Sequence, residues 1–155
     1  MGISIAHLIY GPAAAATVAY ATVQVQATFG VAWTLAYLIA INVVAFAFYA
    51  FDKIFVGPLN LLRLRVPEDV LVWELAFPGG ILGATAAMYL LQHKTSPGES
   101  GFRMELLKAY AVLITLILIN RRWALVSQAQ LDSVVQNVAG MVLNTVQMIV
   151  TNVSA

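Results

Sequence analysis

Cysteine is absent from the 155-residue chain, and charge is scarce. Without cysteine the chain has no disulfide, no thiolate metal ligand, no iron–sulfur cluster and no cysteine nucleophile. Eight Lys and Arg against seven Asp and Glu give a net charge of +1. That charge is too small to neutralise a run of phosphates, so we expect no nucleic-acid partner. We also expect no metal and no cofactor, since metalloprotease spacing, a P-loop and a nucleophile elbow are all missing from the sequence.

Apolar residues dominate what is present. The chain is 61% hydrophobic and 10% charged, with a mean hydropathy of +0.86, whereas soluble domains are roughly 25% charged. No polar or Gly/Ser-rich linker divides it. The composition therefore predicts one all-α integral membrane domain with two tails.

Three transmembrane helices are predicted, over about residues 31–51, 70–92 and 106–120. The first stretch carries no charge and has the roughly 20 residues that cross a hydrocarbon core. Trp33 lies at its edge, where aromatic rings prefer headgroup depth. The third is closed by two arginines, and Lys108 can extend to the surface. These spans define a predicted transmembrane core over residues 31–123.

The second predicted span is interrupted. Glu74 is an ionisable group inside it, which is costly in a membrane unless solvated, neutral or paired. Proline and glycine follow at Pro78-Gly79-Gly80, which predicts a kink or a break. If the chain turns back there, the charged loops on both sides of the span lie on one side of the membrane. Small residues also allow close helix packing, and the predicted packing residues are Gly79, Gly80, Gly83 and Ala87.

The two tails are less clear from the sequence. Residues 1–30 form an apolar segment interrupted by Gly11-Pro12, so a fourth, N-terminal span is left open. Residues 124–155 predict an amphipathic helix, with apolar residues at helical spacing and amides opposite them. This helix lacks the basic face of a helix that lies on anionic lipid. We therefore expect it to bind a partner helix or a protein groove.

Short charged motifs mark the predicted membrane boundaries. Together with Gly79-Gly80, the motifs Asp52-Lys53, Arg65-Val66-Pro67-Glu68 and His93-Lys94-Thr95 make the sequence resemble the small prokaryotic integral membrane family called domain of unknown function 1294. The resemblance covers about residues 42–107. It implies a membrane fold and a prokaryotic cytoplasmic membrane, and it supplies no activity.

The boundary motifs have two interpretations. In the first, they are helix-end anchors held by local ion pairs. In the second, the loops fold together around an anionic headgroup or polar substrate, because Arg and Lys suit phosphate and acids orient them. His93 would then also be a candidate general acid or base. The candidate cluster consists of Asp52, Lys53, Arg65, Glu68, His93 and Lys94.

Two functions are compatible with these features. The leading hypothesis is a non-catalytic accessory or scaffold subunit of a larger membrane assembly, which packs through its small-residue faces and its C-terminal helix. The alternative is a lipid-headgroup-binding enzyme or transporter, which uses the boundary cluster and has Glu74 and His93 as proton-handling groups. The expected partners are membrane lipid and other membrane subunits.

Overall fold

The computed structural model of the chain describes residues 5–61, 66–92, 100–123 and 126–153. Every regular element in these residues is helical, which confirms the all-α prediction. The third element is a π-helix and the others are α-helices. In chain order they are α1 (Ile5–Phe29), α2 (Trp33–Leu61), α3 (Val70–Gly80), α4 (Ile81–Leu90), α5 (Ser100–Trp123) and α6 (Gln128–Val153).

The first two helices form an antiparallel pair. Gly30 follows α1 in the left-handed conformation (φ 62°), where glycine has no steric penalty. Its N–H donates to the carbonyl of Gln26 over 2.8 Å, which closes the helix end. The chain then reverses into α2. Near the other end of the pair, the rings of Tyr10 and Phe51 lie 6.3 Å apart.

The first helix continues through the Gly11-Pro12 interruption. Pro12 lies inside the continuous helix Ile5–Phe29. A proline lacks the N–H of a helical hydrogen bond, yet membrane helices tolerate such breaks when neighbouring groups compensate. The segment is therefore long enough to be a spanning helix.

The third and fourth helices form a hairpin. His7 lies 3.5 Å from Asp69, and Gly11 faces Glu74, so α3 runs in the same direction as α1. After the turn, Gly79 faces Leu38 and Gly83 hydrogen-bonds to Asn42.

These contacts advance in the same direction along both helices, from Leu38 to Asn42 in α2 and from Gly79 to Gly83 at the start of α4. Helix α4 therefore runs parallel to α2. Since α1 and α2 are antiparallel, α4 returns toward the side on which α3 began. The break that the sequence predicted at Pro78 is thus a reversal of the chain.

Helix α5 packs against the hairpin, whereas α6 packs against α1 and α2. Phe102, near the start of α5, stacks edge-on against Tyr49 with ring centroids 6.0 Å apart. Further along α5, the hydroxyls of Tyr110 and Thr85 are in hydrogen-bond contact. The start of α6 is fixed to the start of α2, because Asp132 accepts hydrogen bonds from the N–H and hydroxyl of Thr34 at 2.7 and 2.6 Å.

By length and composition, four segments of the described residues could cross a membrane: Ile5–Phe29, Trp33–Phe55, Val70–Leu90 and Gln128–Val153. This agrees with an integral membrane protein, and it includes the N-terminal span that the sequence left open. The reversal at Gly79 divides Val70–Leu90 into two short helices, so this segment enters and returns on the same side. The predicted third span, residues 106–120, lies in α5, which is not among the four. Charges flank its uncharged residues 109–120, about 18 Å of helix at 1.5 Å per residue. That is shorter than a hydrocarbon core of roughly 30 Å, so a crossing by α5 remains a prediction.

Candidate functional site

The turn of the hairpin depends on glycine. Gly79 has φ 132° and ψ −7°, a conformation that side chains rarely adopt. Pro78 precedes it and has no N–H for a helical hydrogen bond. The break exposes backbone polar groups, which must find partners inside a membrane protein.

Asn42 of α2 supplies those partners. Its side-chain amide donates to the carbonyl of Gly79 over 2.9 Å, and its side-chain oxygen accepts from the N–H of Gly83 over 2.8 Å. In a continuous α-helix, the N–H of residue 83 would donate to the carbonyl of residue 79. The carboxamide of Asn42 therefore bridges the two groups that would otherwise bond each other. The hydroxyl of Tyr37 donates to the neighbouring carbonyl of Pro78 over 3.0 Å.

Three of the four predicted packing residues, Gly79, Gly80 and Gly83, lie against α2 of the same chain. A Cβ placed on Gly83 would lie 2.9 Å from Cα of Asn42 and overlap its carbonyl. A Cβ on Gly80 would lie 2.9 Å from the carbonyl oxygen of Ile41. Gly80, Gly83 and Ala87 are buried, whereas Gly79 is half-buried. Their small size lets α4 approach α2 closely.

One side of the bundle carries the ends of α2 and α4 and the starts of α3 and α5. We call it the charged side. Asp52 is fully buried there, while Lys53 and Glu68 are exposed. Asp52 and Glu68 are close enough to interact electrostatically with the phenol of Tyr49. The Tyr49 hydroxyl is buried and has no hydrogen-bond partner among the described residues.

The other three predicted cluster residues, Arg65, His93 and Lys94, lie outside the described residues. Because α3 and α4 run in opposite directions, Val66 before α3 and Gln92 after α4 lie on the charged side. Among the described members of the cluster, the structure brings Asp52 and Glu68 close to Tyr49.

Glu74 lies apart from this cluster, beside α1. A Cβ on Gly11 would lie 3.1 Å from its carboxylate oxygen, so glycine leaves room for it. The carboxylate borders a cavity of about 380 Å³ between α1, α2, α3 and α6. Apart from Thr22, Tyr37 and Glu74 itself, the residues that line it are apolar: Ala14, Ala15, Val18, Ala19, Ile41, Pro78, Val134, Val135, Val138, Ala139 and Val142. No group of three potential metal-ligating side chains occurs in the described residues.

Sequence reasoning missed Asn42 and Tyr49. Asn42 is a lone amide in an uncharged span, and a buried amide requires a hydrogen-bond partner. That requirement was a usable signal, although it does not identify the partner. Tyr49 appears in the sequence as an aromatic residue near the end of a span, a common position for an interfacial ring. Its burial results from packing against Phe102, which only the fold determines.

One segment of the chain matches a known protein family. Residues 42–97 match the family described as protein of unknown function (DUF1294). This confirms the resemblance over little more than a third of the chain. No curated protein and no solved structure matches the chain.

The DUF1294 segment covers the hairpin and the part of α2 that follows Asn42. It begins at Asn42, the residue that bridges the hairpin, and it includes the whole of α3 and α4. It also includes Asp52, Lys53 and Glu68 on the charged side. Helix α1, the first turns of α2, and helices α5 and α6 lie outside it. The hairpin and the three described charged residues Asp52, Lys53 and Glu68 therefore all lie within the DUF1294 segment.

Proposed function

We propose that this protein binds an anionic lipid headgroup, or another anionic polar molecule, on the charged side of the membrane. The reversal of the chain between α3 and α4 is the observation that carries the proposal. It returns Gln92, which precedes His93 and Lys94 in the sequence, to the side on which Lys53 and Asp69 lie. Without the reversal, Asp69 and Gln92 would lie on opposite sides.

The residue chemistry supports an anionic ligand. Lys53, Arg65 and Lys94 supply positive charge, and lysine and arginine bind phosphate by charge-assisted hydrogen bonds. The carboxylates of Asp52 and Glu68 would orient these cations. We propose His93 as the group that transfers a proton if binding is coupled to chemistry.

Orientation follows from the same residues. Lys53 and Arg103 lie on the charged side, and in the sequence Arg63, Arg65 and Lys94 lie close to described residues of that side. An excess of Lys and Arg marks the cytoplasmic side of membrane proteins. We therefore propose that the charged side faces the cytoplasm of a prokaryotic cell, in keeping with the prokaryotic family that the sequence resembles.

Native mass spectrometry of the full chain in mild detergent tests the binding. Phosphatidylglycerol is titrated against phosphatidylcholine, and the bound fraction of each lipid is measured. We expect the wild type to prefer phosphatidylglycerol, and the double variant Lys53→Ala with Lys94→Ala to bind it about tenfold more weakly, which is ~1.4 kcal/mol.

Two matched variants accompany that experiment. The pair Lys53→Arg with Lys94→Arg keeps both charges and should retain the preference. Lys108→Ala removes a cation that pairs with Glu105 over 2.6 Å, and it should bind like the wild type. Equal binding of both lipids by the wild type would refute the proposal.

An accessory subunit is the second candidate function. The supporting observation is the exposure of α6, in which Ala139 is the one buried residue among those described. The small residues of α4 pack inside the chain, so the C-terminal helix is the main support for this role. Mild-detergent purification followed by mass analysis tests it, since deletion of residues 130–155 should release a co-purifying subunit. A stable chain that carries no other protein would count against it.

A further inference from the structure

A polar stripe runs along α6. It consists of amides, hydroxyls and one glycine, and successive members are alternately three and four residues apart. This is the a/d spacing of a heptad repeat, which places all members on one face of a helix that packs on another helix. The members of the stripe are Gln130, Ser133, Asn137, Gly140, Asn144, Gln147 and Thr151.

The stripe lies on an exposed face of α6. Ala139 is buried against the bundle, and Val142 and Leu143 beside it are half-buried. The side chains of the stripe are exposed, and Gly140 is half-buried. A Cβ placed on Gly140 would meet nothing within 4 Å. The fold of one chain therefore gives no reason for a glycine or for amides at these positions.

Within the described residues, the stripe amides make no hydrogen bond to another helix; Gln130 accepts only from the N–H and the hydroxyl of Ser127, just before α6, over 2.8 and 3.0 Å. The side chains of Asn144 and Gln147 make no hydrogen bond within the described residues, while Asn137 contacts only Ser133 at 3.5 Å. Helix α6 has the length and apolar composition of a spanning helix. Amides that face lipid are unfavourable, and in membranes they hydrogen-bond across helix pairs.

A groove adjoins the stripe. Asn137, Gly140 and Asn144 line it from α6, and Val23 and Trp33 line it from the α1–α2 pair. Its volume is about 720 Å³, and it is open along the helix. A second helix placed on the stripe would contact both the amides and the Trp33 side chain.

We propose that α6 pairs with α6 of a second copy of this chain. Each carboxamide carries both a donor and an acceptor, so a stripe of amides is complementary to itself. The stripe carries no charge, so it does not require an oppositely charged partner. Two copies inserted in one membrane have the same orientation, which brings Asn137 opposite Asn137 and Asn144 opposite Asn144. Gly140 lies between these layers and lets the two backbones approach.

Disulfide trapping tests the pairing directly, because the chain has no native cysteine. Single variants Asn144→Cys and Gln147→Cys place a thiol on the stripe. Ile149→Cys and Val153→Cys place one on other exposed positions of the same helix. In native membranes under mild oxidation, we expect a severalfold excess of linked dimer for the stripe variants. Equal linking at all four positions would overturn the proposal.

A second measurement separates pairing from folding. Gly140→Leu adds a side chain in open space within one chain, so the protomer should keep its helix content and thermal stability. In lipid discs at matched concentrations, its dimer should be about tenfold weaker than the wild type's. The exposed Ile149→Leu is the matched control and should dimerise normally. A monomeric wild type, or a Gly140→Leu dimer of unchanged affinity, would contradict the proposal. Neither outcome depends on headgroup binding.

Discussion

Two contacts in this molecule use the same residue types differently. Where α4 meets α2, the side chain of Asn42 bonds to two backbone groups of the hairpin, and Gly83 lies directly against the Asn42 backbone. On α6, the side chain of Asn144 makes no hydrogen bond within the described residues, and Gly140 lies beside open space. The first contact completes the fold of one chain. The second leaves the same chemistry exposed on the surface.

The difference shows that glycine and asparagine can determine helix pairing either within one chain or at its surface. Apolar side chains alone give little preference between helix and lipid, so small residues and hydrogen bonds determine which helices pair. Asn42 and Gly83 determine the direction in which the chain returns after Pro78. The stripe of α6 would then determine what the folded chain binds. Identical substitutions at the two contacts should therefore have different effects.

The glycine pair should give the largest difference. Gly83→Ala inserts a Cβ into the carbonyl of Asn42, so α4 must move away and lose the amide bridge. We expect a loss of about 3 kcal/mol or more in the free energy of unfolding. Gly140→Ala meets open space and should be neutral or add about 0.5–1 kcal/mol. Unfolding in mixed micelles, followed by circular dichroism, measures the free energy of unfolding of both variants. Equal changes in the two variants would mean that Gly83 does not lie against the Asn42 backbone.

The asparagine pair should differ next. Asn42→Leu leaves the Gly79 carbonyl and the Gly83 N–H without their partner, and an unsatisfied buried group costs about 1–3 kcal/mol. We expect a loss of about 2 kcal/mol in the same unfolding experiment. Asn144→Leu removes no bond within the described residues and should leave protomer stability unchanged. Similar losses of stability in Asn42→Leu and Asn144→Leu would contradict the proposed difference between the two contacts.

A smaller effect is expected where α6 is attached to the bundle. Thr34→Val keeps the side-chain shape but removes the hydroxyl that donates to Asp132 over 2.6 Å. The expected loss is about 1 kcal/mol in the free energy of unfolding. Thr34→Ser, which keeps the hydroxyl, is the matched control. Equal stability of the valine and serine variants would show that this bond does not fix α6.

The smallest effect is expected at an exposed ion pair. Lys108 and Glu105 lie three residues apart on α5, and their side chains are 58% and 42% exposed. Such pairs contribute about 0.5 kcal/mol or less. Lys108→Met should therefore change the free energy of unfolding by no more than about 0.5 kcal/mol. A larger loss would mean that Lys108 also holds another part of the bundle.

Much of this architecture could be predicted from the sequence. Apolar length identifies α2, the N-terminal helix is left open because of Gly11-Pro12, and Pro78-Gly79-Gly80 identifies the break. The direction of the chain after the break could not be predicted. It depends on the tertiary contact between Asn42 and the Gly79 and Gly83 backbone, residues about forty positions apart.

The candidate site was predictable in part. Asp52, Lys53 and Glu68 stand out as charges beside apolar runs, and the structure locates them on one side. The full burial of Asp52 was not predictable, since it depends on how the helices pack around it. The stripe of α6 is visible as a period in the sequence, but only the fold tells which face of that helix is exposed.

The reversal of the chain at Gly79 can be tested by labelling from one side of the membrane. Single cysteines at Asp69, before α3, and at Gln92, after α4, are compared with one at Ala32 in the α1–α2 turn, all three being exposed positions. A membrane-impermeant maleimide is applied to sealed vesicles of known orientation. The hairpin predicts that Asp69→Cys and Gln92→Cys react from the same side, and Ala32→Cys from the other. Labelling of the first two from opposite sides would contradict it.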